Sequence, residues 1–192
     1  MTALPEPWRR QLTIAEYEAL GEDDLYRWEL QEGILVMSPS PKPRHNVAGA
    51  RLFSQVDEQL PADLRAAPDV DIDLQLVPED GPATVRRPDL VVVDSSEYQR
   101  VEDEGGILRS SRVHVVVEIV SPGSRRMDYK IKRGEYADAG IPHYWVLDLT
   151  PPVSLLAFRF TDELGYVDND EVTGTFTTNS PCPLTIRLDQ LG

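Results

Sequence analysis

Apolar residues recur along this chain with two different periods, and each change of period marks an element. Thr13-Ile14-Ala15-Glu16 has the form of a capping box and predicts a short helix ending before Gly21. Tyr26 to Leu30 and Ile34 to Met37, separated by Glu32-Gly33, predict a β-hairpin. The proline-rich Ser38-Pro39-Ser40-Pro41-Lys42-Pro43 excludes a regular ladder and reads as loop. From His45 to Leu60, Val47, Leu52, Val56 and Leu60 return at near-helical spacing, with Ala48 and Phe53 widening the stripe. This predicts an amphipathic helix stopped before Pro61. Asp69 to Val77 then alternates, with Val70, Ile72, Leu74 and Leu76 on one face and Asp69, Asp71, Asp73 and Gln75 on the other, the pattern of a half-buried antiparallel strand.

Pro88 to Asp94 reads as a strand entered through proline, and residues 95 to 112 as surface loop or frayed helix. Val113-His114-Val115-Val116-Val117-Glu118-Ile119-Val120 is a branched apolar run, the signature of a strand buried on both faces, followed by Ser121-Pro122. A helix is expected from about Arg125 to Ala139, closed by Gly140 with Pro142 beyond it, and His143 to Leu149 returns as a strand. Strand, helix and strand between 113 and 149 have the length of a βαβ unit, with a right-handed crossover laying the helix over one sheet face. Segments 153 to 160, about 166 to 176 and 184 to 188 read as antiparallel β. The expected fold class is α/β or α+β: one domain over residues 1–192, with a mixed central sheet flanked by helices, an N-terminal hairpin and C-terminal antiparallel strands.

Composition narrows this little. A chain of 192 residues with 41% hydrophobic and 27% charged residues suits an ordinary globular domain with a proper core. No apolar run approaches the roughly 20 residues that span a bilayer, and the N-terminus lacks signal-peptide blocks, so a cytoplasmic location is expected. A single cysteine, Cys182, excludes an internal disulfide and a cysteine zinc cluster. The net charge of −14 argues against non-specific nucleic-acid binding over the whole surface. Yet 14 of the 19 Lys and Arg residues fall between Lys42 and Arg133, which leaves room for a local basic groove.

Glu118 is the chemical anomaly, since an ionised carboxylate in a buried strand needs a cation or donors beside it. Asp89 opens the preceding strand, and the following helix carries Asp128, Lys132 and Tyr136 at steps of four, on one slowly drifting face. If the two strands are neighbours, Asp89 and Glu118 can share a hard cation, Mg²⁺ or Mn²⁺, with Lys132 reaching the same phosphate or the attacking water. Asp73 could join them if its face turned inward.

The order of these residues carries a resemblance. Glu29 lies in the first hairpin and His45 follows the proline-rich loop. Then come Pro88-Asp89, Glu118-Ile119-Val120-Ser121-Pro122, Asp128-x-x-x-Lys132-x-x-x-Tyr136-x-x-x-Gly140 and Tyr144-Trp145-Val146-Leu147-Asp148. From about residue 12 to 188 the chain resembles the Uma-type family of restriction endonucleases in the PD-(D/E)xK superfamily. The resemblance implies a restriction-endonuclease-like core and metal-dependent hydrolysis of DNA phosphodiesters. It implies Asp89 and Glu118 as metal ligands, the Ile119 carbonyl as a third, and Glu29 as an acid brought by the N-terminal part. The usual pattern places lysine two residues after the Glu; here that position is Val120, and the resemblance implies that the lysine has moved to Lys132.

Each residue also has a purely structural reading. Asp89 can accept backbone N–H bonds at a strand edge, Glu118 can pair with an arginine, and Lys132 can pair with Asp128. Glu29 can pair locally, His45 can cap its helix, and Tyr136 can simply pack. Two functions follow: a nuclease with Lys42, Arg44, Arg86, Arg87, Arg125, Arg126, Lys130 and Arg133 facing DNA, or a non-catalytic module keeping the same core to bind protein or nucleic acid. Architecture also allows a homodimer through the acidic C-terminal sheet.

Overall fold

The computed structural model describes residues 10–21, 27–38, 41–121, 123–168 and 170–192; Tyr26, Pro39-Ser40 and Pro122 of the expected elements lie outside them. Both halves of the Thr13 capping box are made at the start of α1 (Ile14–Glu18). The hairpin of β1 (Arg27–Gln31) and β2 (Ile34–Ser38) turns through Glu32 and Gly33, both at positive φ. Pro43 occupies the first turn of α2 (Pro43–Asp57), where its missing N–H costs nothing, so the helix starts two residues earlier than expected. It buries Ala48, Leu52 and Val56, as the stripe required.

The chain continues through β3 (Leu64–Ala67), β4 (Ile72–Asp73), β5 (Val85–Arg86), β6 (Leu90–Asp94), α3 (Ser95–Glu104), β7 (Leu108–Arg109) and β8 (Val113–Val120). After β8 come a π-helical segment (Met127–Lys132) and α4 (Arg133–Asp138), then β9 (His143–Asp148). β10 (Ser154–Thr161), β11 (Gly165–Asp168), β12 (Val172–Thr173), β13 (Thr175–Thr178) and β14 (Leu184–Arg187) complete it. The seven-stranded sheet runs β11-β10-β9-β8-β6-β3 with β12 on β10, and is mixed because β8 and β9 are parallel while its other pairs are antiparallel. A five-stranded sheet, β2-β1-β5-β4-β7, and a β13-β14 ribbon stand beside it.

The fold is α+β, with multi-stranded mixed sheets flanked by helices. Its central strand is β8. Val115, Val117 and Ile119 pack toward Ala48, Leu52 and Val56 of α2, whereas Val116 and Val120 join Tyr136 and Tyr144. Period-two alternation therefore turns Glu118 toward the helical layer that follows β8.

Three expectations are corrected. The alternating stretch from Asp69 to Val77 yields only the two residues of β4, because Asp69 and Gln75 adopt φ of 57° and 53° and the Asp73 carboxylate accepts from the Gln75 N–H in a tight turn. Its acidic face is not a solvated one: Asp71 accepts from Arg87 and Tyr17, and Asp69 pairs with Arg27. Residues 95 to 112, expected as surface loop or frayed helix, hold the regular helix α3 and strand β7, because Glu97 is buried and gathers Arg100 and Arg109.

Candidate active site

In β6 and β8, Leu90 pairs with Val117, so the step beyond brings Asp89 beside Glu118 and Ile119 at the strand end. Asp89 Oδ2 accepts from the Ile119 N–H at 2.6 Å. His45, in the first turn of α2, sets Nε2 3.0 Å from the Ile119 carbonyl and 3.4 Å from Asp89 Oδ2. From the other side the helical layer supplies Lys132. Its Nζ donates to Glu118 Oε1 and to Glu29 Oε1, each at 2.9 Å, and the Tyr136 hydroxyl donates to the same Glu118 oxygen at 2.7 Å.

The π-helical segment explains how one helix delivers all three groups. With i→i+5 bonding, four residues fall short of a full turn, whereas in an α-helix they slightly overshoot it. The opposed drifts keep Asp128, Lys132 and Tyr136 on the buried face. Tyr144 in β9 donates to the Asp128 carbonyl at 2.8 Å and fixes that segment against the sheet.

Charge is unevenly compensated. Burial, reinforced by Asp89, Asp128 and Glu29 against the pull of Lys132, pushes the Glu118 carboxyl up to about 8. Burial works against the Lys132 ammonium, but Glu118 and Glu29 outweigh it and raise its pKa. Burial raises Asp128, whose Oδ2 has no hydrogen-bond partner among the described residues. Burial also opposes ionisation of Glu29, yet Lys132 and Arg86 hold it below its ordinary value. His45 is raised, because Asp89 overcomes the effect of burial. Beyond the effect of burial, Asp89, Asp128 and Glu29 act on Glu118 against Lys132, so the centre carries more acid than base.

The expected cation can be tested against this donor set. Among the described residues no three His, Cys, Asp or Glu side chains are grouped to hold a metal ion on their own. What stands together is two carboxylates, Asp89 and Glu118, with the Ile119 carbonyl beside them. Hard oxygen donors, one or two carboxylates and a remainder left to water or phosphate are the usual holding of Mg²⁺ or Mn²⁺. With the surplus acidity and the orphaned Asp128 oxygen, the residues fit that group.

Other expected site residues lie elsewhere. Asp73 is in β4, turned to its own Gln75 N–H, away from Glu118. Arg86 cannot face DNA: it is fully buried, donating to Glu29 at 3.0 Å and to Glu135 at 2.7 and 2.6 Å. Arg87 is tied to Asp71. Arg133 stacks over Phe158 at 4.4 Å and donates to the Tyr166 carbonyl. Arg44 donates to the Leu149 carbonyl, and Arg125 pairs with Asp148, although both residues remain largely exposed. Lys42, Arg126 and Lys130 are exposed. Lys132 does not pair with Asp128 in the manner of a solvated helix face; its partners are Glu29 and Glu118. Glu135 was not foreseen, because it lies off the step-of-four face, and Arg86-Arg87 reads in sequence as an ordinary basic pair.

A family model, Uma2, described as "Putative restriction endonuclease", matches residues 14–175. The chain belongs to the Uma2 family. Among solved structures this Uma2 chain is similar to one described as "a putative nuclease belonging to DUF820 from Anabaena variabilis ATCC 29413". The TM-score is 0.67 at 17% identity, over 94% of this chain and 97% of the other. That likeness establishes a shared fold, in agreement with the restriction-endonuclease-like core expected for Uma2. No curated protein matches the chain. No helix among the described residues is long and apolar enough to cross a membrane.

Proposed function

We propose that this protein is a Mg²⁺- or Mn²⁺-dependent endonuclease that hydrolyses DNA phosphodiester bonds. The observation that carries the reading is the convergence of Asp89, Glu118 and Lys132 at one strand end, with Lys132 coming from the helix rather than from position 120. The family's description supports DNA as the substrate.

Asp89, Glu118 and the Ile119 carbonyl would hold the cation, which when bound supplies charge neutralisation at the phosphate and a more acidic water. The chain's own groups do the rest. The Ile119 N–H fixes Asp89 Oδ2, and Tyr136 with Lys132 fixes Glu118 Oε1. Of the three ammonium protons on Lys132, Glu29 and Glu118 take two. The third donates to a phosphate oxygen as negative charge builds, a contribution strengthened by burial. Lys42, Arg44, Arg125, Arg126 and Lys130 are exposed and would meet backbone phosphates, so cleavage falls with added salt.

The test is plasmid nicking with Mg²⁺ or Mn²⁺ by wild type, Asp89→Ala and Glu118→Ala. Wild type nicks only with metal, and both variants lose roughly 100-fold or more in rate. Equal activity in all three preparations overturns the proposal.

A further inference from the structure

Glu29 has neither oxygen to spare. Oε1 accepts from Lys132 Nζ at 2.9 Å and from the Arg87 N–H at 3.1 Å, while Oε2 accepts from Arg86 Nη1 at 3.0 Å. The other side of the Arg86 guanidinium, Nε and Nη2, grips both oxygens of Glu135. Charges therefore alternate along one chain of contacts, Glu135, Arg86, Glu29, Lys132, Glu118, closed by the hydroxyl of Tyr136. The chain starts and ends on adjacent residues of α4, and between them it crosses both large sheets. Glu29 and Arg86 belong to the five-stranded sheet, Glu118 to the seven-stranded one.

A guanidinium with no exposed surface is expensive to bury unless its donors are met, and here five carboxylate and backbone contacts converge on the two residues Arg86 and Glu29. The planar fork matters, because it holds Glu135 in two parallel bonds while its third nitrogen holds Glu29; a lysine has no equivalent geometry. We infer that Arg86 is a positioning residue: it locks the Glu29 carboxylate so that Glu29 and Glu118 hold the Lys132 ammonium at one place and in one orientation. This rests on the reading of Lys132 as the group that meets the phosphate. Lys132 replaces a lysine that would otherwise sit on the same strand as Glu118. Its longer route into the site from a helix needs a second anchor, and Glu29 held by Arg86 is that anchor.

The chain has three lysines, Lys42, Lys130 and Lys132, of which the first two are exposed. Lysine labelled with ¹⁵N therefore gives one slowly exchanging ammonium resonance, assigned by its loss in Lys132→Met. In Arg86→Gln that resonance shifts or broadens into exchange, kcat for nicking falls roughly 10- to 100-fold, and KM for DNA changes little. Glu135→Gln is the second variant; its site is partly exposed, so folding is less at risk. It weakens one grip of the fork and moves the resonance and kcat in the same direction by less. Unchanged ammonium resonance and unchanged kcat in folded Arg86→Gln, or in Glu135→Gln should the first not fold, overturn the inference. If wild type cuts no DNA, the nuclease reading fails, and the positioning role is decided by the resonance alone.

Discussion

Replacing Lys132 by Met leaves the methylene stem and removes the ammonium from between Glu29 and Glu118. Both carboxylates are buried, at 3% and 5% exposure, and both bonds from Nζ are 2.9 Å long. Removing one member of a buried ion pair costs about 3–5 kcal/mol, because the partner stays buried without compensation. Glu29 keeps Arg86, so most of the cost falls on Glu118, which among the described residues keeps the Tyr136 hydroxyl. For a chain of this size the loss corresponds to roughly 6–20 °C in Tm. It also depends on pH. Glu118 already has a pKa raised to about 8, and losing Lys132 raises it further. An acid raised in the folded state binds more protons there than in the unfolded chain, so stability falls as pH rises from its unfolded pKa, about 4.5, toward the folded one. Urea unfolding without metal at pH 6.5 and pH 9.5 checks this: wild-type Glu118 ionises beside Lys132 above about pH 8 while the variant's stays protonated to higher pH, so the gap between wild type and Lys132→Met widens from pH 6.5 to pH 9.5. A gap below about 1 kcal/mol at both pH values would refute the buried clamp.

Burial works against ionised Glu97, but Arg109 and Arg100 hold its pKa down to about 2. A depressed acid contributes stability above its unfolded pKa of about 4.5 and loses it as pH falls toward 2. Wild type should exceed Glu97→Gln by about 2 kcal/mol at pH 6, allowing for solvent at the exposed Arg109, and the gap should close below pH 3. Gly33→Ala should destabilise by at least about 1–2 kcal/mol in thermal unfolding, from its left-handed φ alone. Its φ is 79°, and a new Cβ would meet the Leu12 backbone nitrogen at 2.9 Å. Gly134→Ala, in α4 with nothing within 4 Å of the new Cβ, should stabilise by roughly 0.5–1 kcal/mol.

Where one face of an element is buried along its whole length, the sequence pattern read correctly. β8 spans Val113 to Val120 as the branched run required, β9 follows in parallel, and the α2 stripe is buried. The juxtaposition of Asp89 and Glu118 was also legible, because two adjacent apolar strands each carry one carboxylate at the same end. Periodicity misled from Asp69 to Val77, where left-handed backbone at Asp69 and Gln75 breaks a perfect alternation. It cannot see such a break, since neither Asp69 nor Gln75 is a glycine that would mark a left-handed position. Nor could it show that the helix after β8 opens into a π segment, or that Arg86 turns inward to Glu29 and Glu135. Those facts depend on which residues meet across two sheets, and no local pattern records that.

Anomalous diffraction from a Mn²⁺-soaked crystal shows whether Asp89 and Glu118 hold a divalent cation beside Lys132. A manganese peak is expected about 2.1 Å from a carboxylate oxygen of each acid, lost in Asp89→Ala. A crystal saturated with Mn²⁺ that shows no peak there, with Lys132 still lodged between Glu29 and Glu118, would contradict it.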